Sequence, residues 1–225
     1  MVGLQILQRR QCVSAKLVRA FDDIPVANVS DCMSRLFAGG SDLQPMHNGA
    51  RLAGPAFTVR TRPGDNLLIH KALDLAQPGD VIVVDGGGDL SNALIGELMT
   101  TYAIERGIAG FVIDGAIRDL DVIAEGDLPV YAAGVTHRGP YKDGPGEINV
   151  PISVGGMVVN PGDLILGDAD GVLCVALADV ETVLAAAREK SAAEHQTLKN
   201  IAAGTHDTSW VDAALKRIGC NTEPR

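Results

Sequence analysis

The sequence predicts an α/β protein in which a mixed β-sheet is flanked by helices. Two short apolar, β-branched runs, VIVVD (81–85) and FVID (111–114), are typical of strands buried on both faces. The segment between them is long enough for one helix, so the three form a unit with parallel strands and a right-handed crossover. Short strands separated by glycine and proline turns between 129 and 175 predict hairpins.

Four elements precede the first buried strand. Helices are predicted over 14–22 and 30–38, a strand over 53–61 and a third helix over 66–76. Ser30 is the predicted N-cap of the second helix and Gly39-Gly40 end it, while Pro78-Gly79-Asp80 stop the fourth element.

The central unit contains a glycine-rich turn, Gly86–Gly88, directly after the first buried strand. Ser91 is predicted to cap the helix that follows, which runs to about Arg106. Gly107 would end that helix in the left-handed conformation.

The second half of the chain consists of short strands followed by a long helix. The strands are predicted over 129–133, 150–154, 157–160, 164–167 and 171–175. The helix is predicted over about 180–203, capped by Asp179 and ended by Gly204, and the tail WVDAALKRI forms a last helical turn or two. No linker or repeat divides the chain, so residues 1–225 are expected to form a single domain with its core over about 25–204 and a C-terminal helical tail.

Composition excludes several classes of protein. The net charge is −9 and no Lys/Arg cluster exists beyond Arg9-Arg10, which argues against a nucleic-acid partner. No apolar run approaches the roughly 20 residues that span a bilayer, and the first residues do not resemble a secretory signal. The four cysteines show no CxxC spacing, which suits reduced thiols in the cytoplasm and gives no zinc site.

Three features could carry chemistry. Gly86–Gly88 would let the backbone approach an anion at a helix N-terminus, although a tight strand-to-helix turn is the commoner explanation of such glycines. Arg118-Asp119 follow the strand FVID, where ligands of α/β sheets bind; arginine can hold a carboxylate, and aspartate can bind Mg²⁺ or Mn²⁺. A surface ion pair is the alternative there. Glu97 could face the same cleft or be a solvated helix position. His70 is interpreted as a hydrogen-bonded packing residue within a helix.

The order of these motifs resembles that of a known family, which contains 4-hydroxy-4-methyl-2-oxoglutarate aldolases and the regulator of ribonuclease activity A. The resemblance covers most of residues 25–204. It rests on NVSDCM, PGDNLLIHKAL, GDVIVVDGGGDLSNALIGEL, GIAGFVIDGAIRDLD and PGEINVPISVGGMVVNPGDLILGDADGVLCV.

The resemblance implies a compact α/β/α sandwich of the swivelling-domain type, assembled as a trimer or hexamer with the active site at a subunit interface. It implies a divalent-metal-dependent lyase, using Mg²⁺, Mn²⁺ or another divalent ion. Such an enzyme cleaves 4-hydroxy-4-methyl-2-oxoglutarate or 4-carboxy-4-hydroxy-2-oxoadipate to pyruvate and decarboxylates oxaloacetate. The partner is then a small 2-oxo acid.

The resemblance also assigns roles. The family signature is an aspartate, twenty residues and then Arg-Asp; here Arg118-Asp119 match, and Glu97 stands where the aspartate is expected. Asp119 would bind the metal, Glu97 would hold a metal-bound water and act in catalysis, and Arg118 would bind and activate the substrate. The backbone near Gly96, Leu98 and Met99 would complete the substrate site, and Glu189 or Glu194 of a neighbouring subunit would complete the metal shell.

Two other functions are alternatives to the enzyme. A protein-binding regulator of an RNA-processing enzyme would need no metal and no pyruvate site, and the intact Arg118-Asp119 pair favours the aldolase over it. A methyltransferase is disfavoured because no glycine-rich cofactor loop followed by an acidic strand end is present.

Overall fold

The structure is a computed structural model that describes residues 2–34 and 37–221. Short helices and long strands alternate in the first two thirds, short strands follow, and two helices end the chain. In chain order the elements are β1 Leu4–Ile6, α1 Ala15–Arg19, α2 Val26–Cys32, β2 Gln44–Pro45, β3 Leu52–Thr61, α3 Leu67–Leu75, β4 Val81–Ile95, α4 Glu97–Glu105, β5 Gly110–Ile117, α5 Leu120–Glu125, β6 Val130–Val135, β7 Gly146–Ile148, β8 Ile152–Val154, β9 Met157–Val159, β10 Leu164–Asp168, β11 Gly171–Val175, α6 Val180–Ala202 and α7 Ser209–Arg217.

The central sheet is mixed, as the sequence predicted. Its strand order is β1-β7-β3-β4-β5-β6-β2, and β10 joins from β3 with β11 beside it. The pairs β3–β4, β4–β5 and β5–β6 are parallel, whereas β7 and β10 run antiparallel to β3. Helices α3, α4 and α5 connect the parallel strands, so the carboxyl ends of these strands meet at one edge.

Three hydrophobic clusters hold the layers together. The first lies between α3–α5 and one face of the parallel strands and includes Ile69, Ile113 and Ala103. The second lies on the other face, beneath the β8–β9 hairpin. The third packs α1, α2 and α6 against β10 and β11. Most of the buried side chains are aliphatic, and each cluster also buries aromatic rings: Phe57 and Phe111 in the first, Tyr131 in the second and Phe21 in the third. Burial of this apolar surface stabilises the fold.

The second predicted helix is wrong in position. Helix α2 covers Val26–Cys32 and contains Ser30 instead of being capped by it, because Pro25 stands at the N-cap. Val26 and Val29 are buried in the third cluster, which fixes the helix there. Part of the predicted 30–38 segment, residues 35 and 36, lies outside the described residues.

The predicted end of the first buried strand is also wrong. Strand β4 does not stop at residue 85 but continues to Ile95, with irregular pairing to β5 between Asp85 and Ile95. The last three residues of β4, Ala93–Ile95, are buried and pair with the end of β5. Ser91 therefore lies in an excursion of the strand, and α4 begins at Glu97 with Gly96 as its N-cap.

Other predicted elements are confirmed. Strand β3, helix α3 and the antiparallel pairing of β10 with β11 lie where the sequence placed them. Gly107 and Gly204 have positive φ angles of 69° and 67° at the ends of their helices. Asp179 is the N-cap of α6, although its side chain makes no capping hydrogen bond. Within the described ranges, no helix is long and apolar enough to cross a bilayer.

Candidate active site

The structure brings Gly96, Arg118 and Asp119 together at the carboxyl ends of β4 and β5. The Arg118 N–H donates to the carbonyl of Ile95 at 3.0 Å, which ties the chain after β5 to the end of β4. Asp119 has φ 57° and ψ 41°, a left-handed conformation that is uncommon for a residue other than glycine. Its Oδ2 accepts the N–H of Glu97 at 2.9 Å and lies 3.6 Å from Nε of Arg118.

Gly96 is required by this close approach and not by its own backbone angles. Its φ of −161° is ordinary extended backbone. A Cβ at position 96 would overlap Oδ2 of Asp119 and lie only 2.9 Å from Cγ of Arg118. The absent side chain therefore makes room for the two side chains that the sequence singled out.

The N-terminus of α4 supplies polar backbone groups to the same place. Asp119 caps the first helical N–H from outside the helix, and the Met99 N–H donates to the carbonyl of Gly96 at 3.0 Å. The Leu98 N–H donates to no acceptor among the described residues. Since the start of a helix carries a partial positive charge, Leu98 N–H and the Arg118 guanidinium together favour an anion.

A cavity of about 80 Å³ lies against these groups. It is bounded by α3, by the end of β4 and start of α4, by Arg118, and by the loop 138–145. Its lining comprises Asn66, His70, Ala93, Leu94, Ile95, Gly96, Leu98, Met99, Arg118, Pro140 and Lys142. Met99 is a buried part of the cavity wall, whereas Leu98 is 81% exposed. The cavity is therefore open on the side of α4.

Three polar residues of this lining, Asn66, His70 and Lys142, were not assigned to a site from the sequence. Asn66 is buried; its Nδ2 donates to the carbonyl of Leu94 at 2.9 Å, and its Oδ1 has no partner among the described residues. His70, interpreted from sequence as a packing residue, lines the cavity one turn later on α3. The spacing of four residues between Asn66 and His70 was the available signal, because it places both on one helix face.

The electrostatics of the cavity keep His70 neutral. Burial is the larger cause that lowers the pKa of His70 below its ordinary value, and the nearby positive charge of Lys142 lowers it further, against the opposing effect of Asp74. His70 is therefore a neutral hydrogen-bonding group at neutral pH, while Lys142 and Arg118 carry the positive charge of the cavity.

Asp119 and Glu97 provide part of a binding site for a divalent ion. Within the described residues, no group of three His, Cys, Asp or Glu side chains is placed to hold a metal. Asp119 presents a carboxylate, and Glu97 stands exposed at the adjoining first turn of α4. Mg²⁺ binds through one or two carboxylates and fills its remaining positions with water and substrate oxygens, so this oxygen donor set fits such an ion.

The glycine-rich turn does not form the predicted anion site. Gly86–Gly88 lie in the excursion of β4 and not before a helix. Aspartate side chains already accept N–H groups of this segment: Asp85 accepts that of Gly87 at 3.2 Å, and Asp89 accepts that of Ser91 at 3.3 Å. Asp114 lies beside them on β5; burial, and then Asp85 and Asp42, raise its pKa, against the Gly155 N–H that lowers it. This acidic surrounding repels an anion.

The two glutamates proposed to complete a metal shell lie elsewhere in the chain. Both belong to α6, which packs against α2 in the third cluster, and neither lines the cavity. Glu194 is paired with Lys190 at 3.1 Å, and Glu189 is exposed.

Comparison with known proteins identifies the family. Residues 26–174 match the family described as Aldolase/RraA, RraA-like. A protein of Halalkalibacterium halodurans, provisionally named 4-hydroxy-4-methyl-2-oxoglutarate aldolase, is 43% identical over 175 residues, covering 78% of this chain and 83% of that protein.

Solved structures agree with the fold. An uncharacterised protein from Pseudomonas syringae is 26% identical, has a TM-score of 0.77, and covers 86% of this chain and 96% of that one. A structure described as the RNA-processing inhibitor RraA of Thermus thermophilus is 35% identical, with a TM-score of 0.63 and coverages of 68% and 93%. The mixed sheet with a site at the carboxyl ends of its parallel strands thus defines an α/β protein of the RraA-like fold. The chain belongs to the Aldolase/RraA family.

Proposed function

We propose that this protein is a divalent-metal-dependent aldolase that cleaves 4-hydroxy-4-methyl-2-oxoglutarate or 4-carboxy-4-hydroxy-2-oxoadipate to pyruvate, and that it decarboxylates oxaloacetate. The observation that carries the proposal is that Arg118 and Leu98 line one cavity, with the Asp119 carboxylate beside Arg118 and hydrogen-bonded to the start of α4. The aldolase name of the relative from Halalkalibacterium halodurans supports the same class of reaction.

The pyruvyl end of the substrate would bind between Arg118 and the start of α4. Arg118 can hold a carboxylate through two N–H groups, and the Leu98 N–H donates to an oxygen of the same unit. Gly96 leaves room for this approach and Met99 forms the wall beneath it. Arg118 then lies where negative charge develops as the pyruvate enolate forms, which lowers the barrier to bond cleavage.

Asp119 would hold the metal directly and Glu97 would reach it through a water. When bound, the ion supplies Lewis-acid stabilisation of the 2-oxo oxygen. The left-handed backbone of Asp119 and its hydrogen bond from Glu97 N–H fix the carboxylate at the edge of the sheet. Strain of this kind is tolerated where the surrounding structure fixes a functional group.

Glu97 is the candidate general base. Cleavage of the longer substrates requires removal of the proton from the C4 hydroxyl, and a carboxylate acting through one water can accept it. Decarboxylation of oxaloacetate forms the same enolate without this step. Lys142, on the opposite wall, offers positive charge to a further carboxylate of the substrate, which suits dicarboxylic and tricarboxylic oxo acids.

We further propose that the whole chain is one domain and that it assembles as a trimer or hexamer with the site at a subunit interface. The open side of the cavity at Leu98 and the incomplete metal shell support this arrangement. Neither Glu189 nor Glu194 lines the cavity of its own chain. One of them would instead complete the metal shell in the site of a neighbouring copy.

The test is pyruvate release from oxaloacetate by the purified protein with Mg²⁺ or Mn²⁺, repeated with excess chelator. Arg118→Ala should lower kcat/KM by about a hundredfold or more, the usual cost of removing one such charge-stabilising donor. Arg19→Ala is the matched control, because Arg19 is an exposed arginine on α1 away from the cavity. Release no faster than with free metal, from folded protein, would contradict the proposal.

A second candidate function has its own support. The Thermus thermophilus structure is described as an RNA-processing inhibitor, so a protein-binding regulator without catalysis is the alternative. A folded protein that releases no pyruvate yet inhibits RNA cleavage by an endoribonuclease would establish it.

A further inference from the structure

The buried carboxylate of Asp65 lies beside the candidate active site but lines no part of the cavity. Its side chain is fully buried and forms an ion pair with Arg62 at 3.0 Å. Oδ1 accepts the N–H of Leu67 at 3.0 Å, while Oδ2 accepts those of Asp143 and Gly144 at 2.7 and 2.8 Å. A buried charge persists only with such compensation, so all of these contacts depend on one carboxylate.

These contacts join two segments that are far apart in sequence. Leu67 begins helix α3, whereas Asp143 and Gly144 belong to the loop 138–145. Further hydrogen bonds align the same segments: Tyr141 N–H donates to Gly64 at 2.8 Å, and Asn66 N–H donates to Tyr141 at 3.0 Å. The Arg62 guanidinium also lies over the Tyr141 ring, 5.6 Å from its centroid.

Each joined segment carries groups of the cavity. Asn66 and His70 are on the α3 side, and Pro140 and Lys142 are on the loop side. Lys142 lies directly between Tyr141 and Asp143, whose N–H groups are both held by the contacts described above. The distance between the two walls is therefore set by hydrogen bonds to Asp65 and its neighbours.

We propose that Asp65 is a positioning residue for the cavity, which holds the Lys142 loop against the Asn66–His70 face of α3. The inference rests on the proposed function for its kinetic consequence, but its structural part is independent of any reaction. Both side-chain oxygens are needed because each accepts a different set of donors. An asparagine retains one oxygen and turns an N–H₂ group towards N–H donors.

The kinetic test compares Asp65→Asn with Asp80→Asn. Asp80 is a matched control: it is buried, pairs with Arg9 at 2.8 Å and accepts the N–H of Gln77 at 2.8 Å, but it lies before β4, at the opposite end of the sheet. Asp65→Asn should lower kcat/KM for oxaloacetate by about ten- to a hundredfold, as misplacement of binding groups by about 1 Å does. Asp80→Asn should lower it less than about threefold if the folded fraction is equal. Equal losses in the two variants would overturn the inference.

A double-mutant cycle with Lys142→Met separates positioning from general destabilisation. If Asp65 acts through the loop, Asp65→Asn should raise KM much less in the Lys142→Met background than in the unaltered protein. Fully additive effects would overturn the inference. Arg62→Met provides a second variant, because it removes the ion pair between the half-exposed Arg62 and the Asp65 carboxylate. It should raise KM, as Asp65→Asn does.

Amide hydrogen exchange tests the inference even if the protein proves not to act on oxo acids. The backbone amides of Asp143 and Gly144 should exchange at least about tenfold faster in Asp65→Asn than in the unaltered protein. Their exchange rates should be unchanged in Asp80→Asn. Unchanged exchange in Asp65→Asn would overturn the positioning role. An inactive unaltered protein with the expected exchange pattern would instead count against the proposed function alone.

Discussion

Substitution of Gly96 by alanine tests the geometry of the candidate site most directly. The added Cβ would lie 2.9 Å from Cγ of Arg118, closer than the 3.0 Å that real Cβ contacts essentially never cross, and closer still to Oδ2 of Asp119. To restore ordinary contact at 3.4 Å, both side chains must withdraw, and the carboxylate must move furthest. The hydrogen bond from Glu97 N–H to Asp119, 2.9 Å long, is then lost.

The magnitude follows from this displacement. Moving a binding group by about 1 Å costs roughly a hundredfold in rate, or about 2.7 kcal/mol of transition-state stabilisation. Loss of the cap that Asp119 provides to α4 should lower the free energy of unfolding by about 0.5–2 kcal/mol. Gly96→Ala should therefore lose most of its activity while still folding.

The assay is kcat/KM for oxaloacetate with saturating Mg²⁺, together with thermal unfolding. Gly40→Ala is the control, because among the described residues a Cβ there meets only the carbonyl of Gly155, at 3.4 Å, and its φ is not positive. A Gly96→Ala protein whose kcat/KM stays within about twofold of the original would refute the reasoning, since Arg118 and Asp119 would then tolerate the displacement.

Two further predictions concern Glu97 and His70. Glu97→Gln should slow cleavage of 4-hydroxy-4-methyl-2-oxoglutarate by about a hundredfold but slow oxaloacetate decarboxylation much less, because only the first reaction needs a base. Steady-state rates on both substrates measure the two effects, and Glu97→Asp is the control variant that keeps a carboxylate. Equal losses of rate on both substrates would contradict the role of Glu97 as a base. Lys142→Met should raise the pKa of His70, because it removes a positive charge that now disfavours protonation. The pKa of His70 is lower in the folded protein than in the unfolded chain, so the free energy of unfolding falls as the pH drops through the ordinary histidine range. This loss of stability should be smaller in Lys142→Met. NMR titration of the His70 ring measures its pKa, and unfolding at two pH values measures the change in stability. A pKa of His70 that does not rise would contradict the electrostatic effect of Lys142 on it.

The sequence by itself determined the class of fold and indicated the central pair of the candidate site. The runs 81–85 and 111–114 are too short for buried helices and too apolar for exposed strands, so a parallel pair was the remaining solution. The long helix α6 and the β10–β11 hairpin followed from periodicity and from turn residues with few alternatives. Arg118-Asp119 stood out because they follow a buried strand, where ligands bind in such sheets.

Only the tertiary structure decided where the irregular elements begin and end. Glycines after residue 85 suggested a turn into a helix, but β4 resumes because burial of Ala93–Ile95 against β5 outweighs the local preference for a turn. Propensity describes one segment, whereas this outcome depends on a neighbouring strand. The start of α4 moved accordingly, from Ser91 to Glu97.

The rest of the site depends on contacts between distant parts of the chain. Gly96 has an ordinary φ, so nothing local shows why it must be glycine; the reason is the approach of Arg118 and Asp119 from the next strand. Lys142 lies at the cavity on a loop whose neighbouring N–H groups, those of Asp143 and Gly144, donate to Asp65 from a distant part of the chain. Local sequence determines which elements form, but the side chains that meet in a cavity are set by packing between elements that no periodicity encodes.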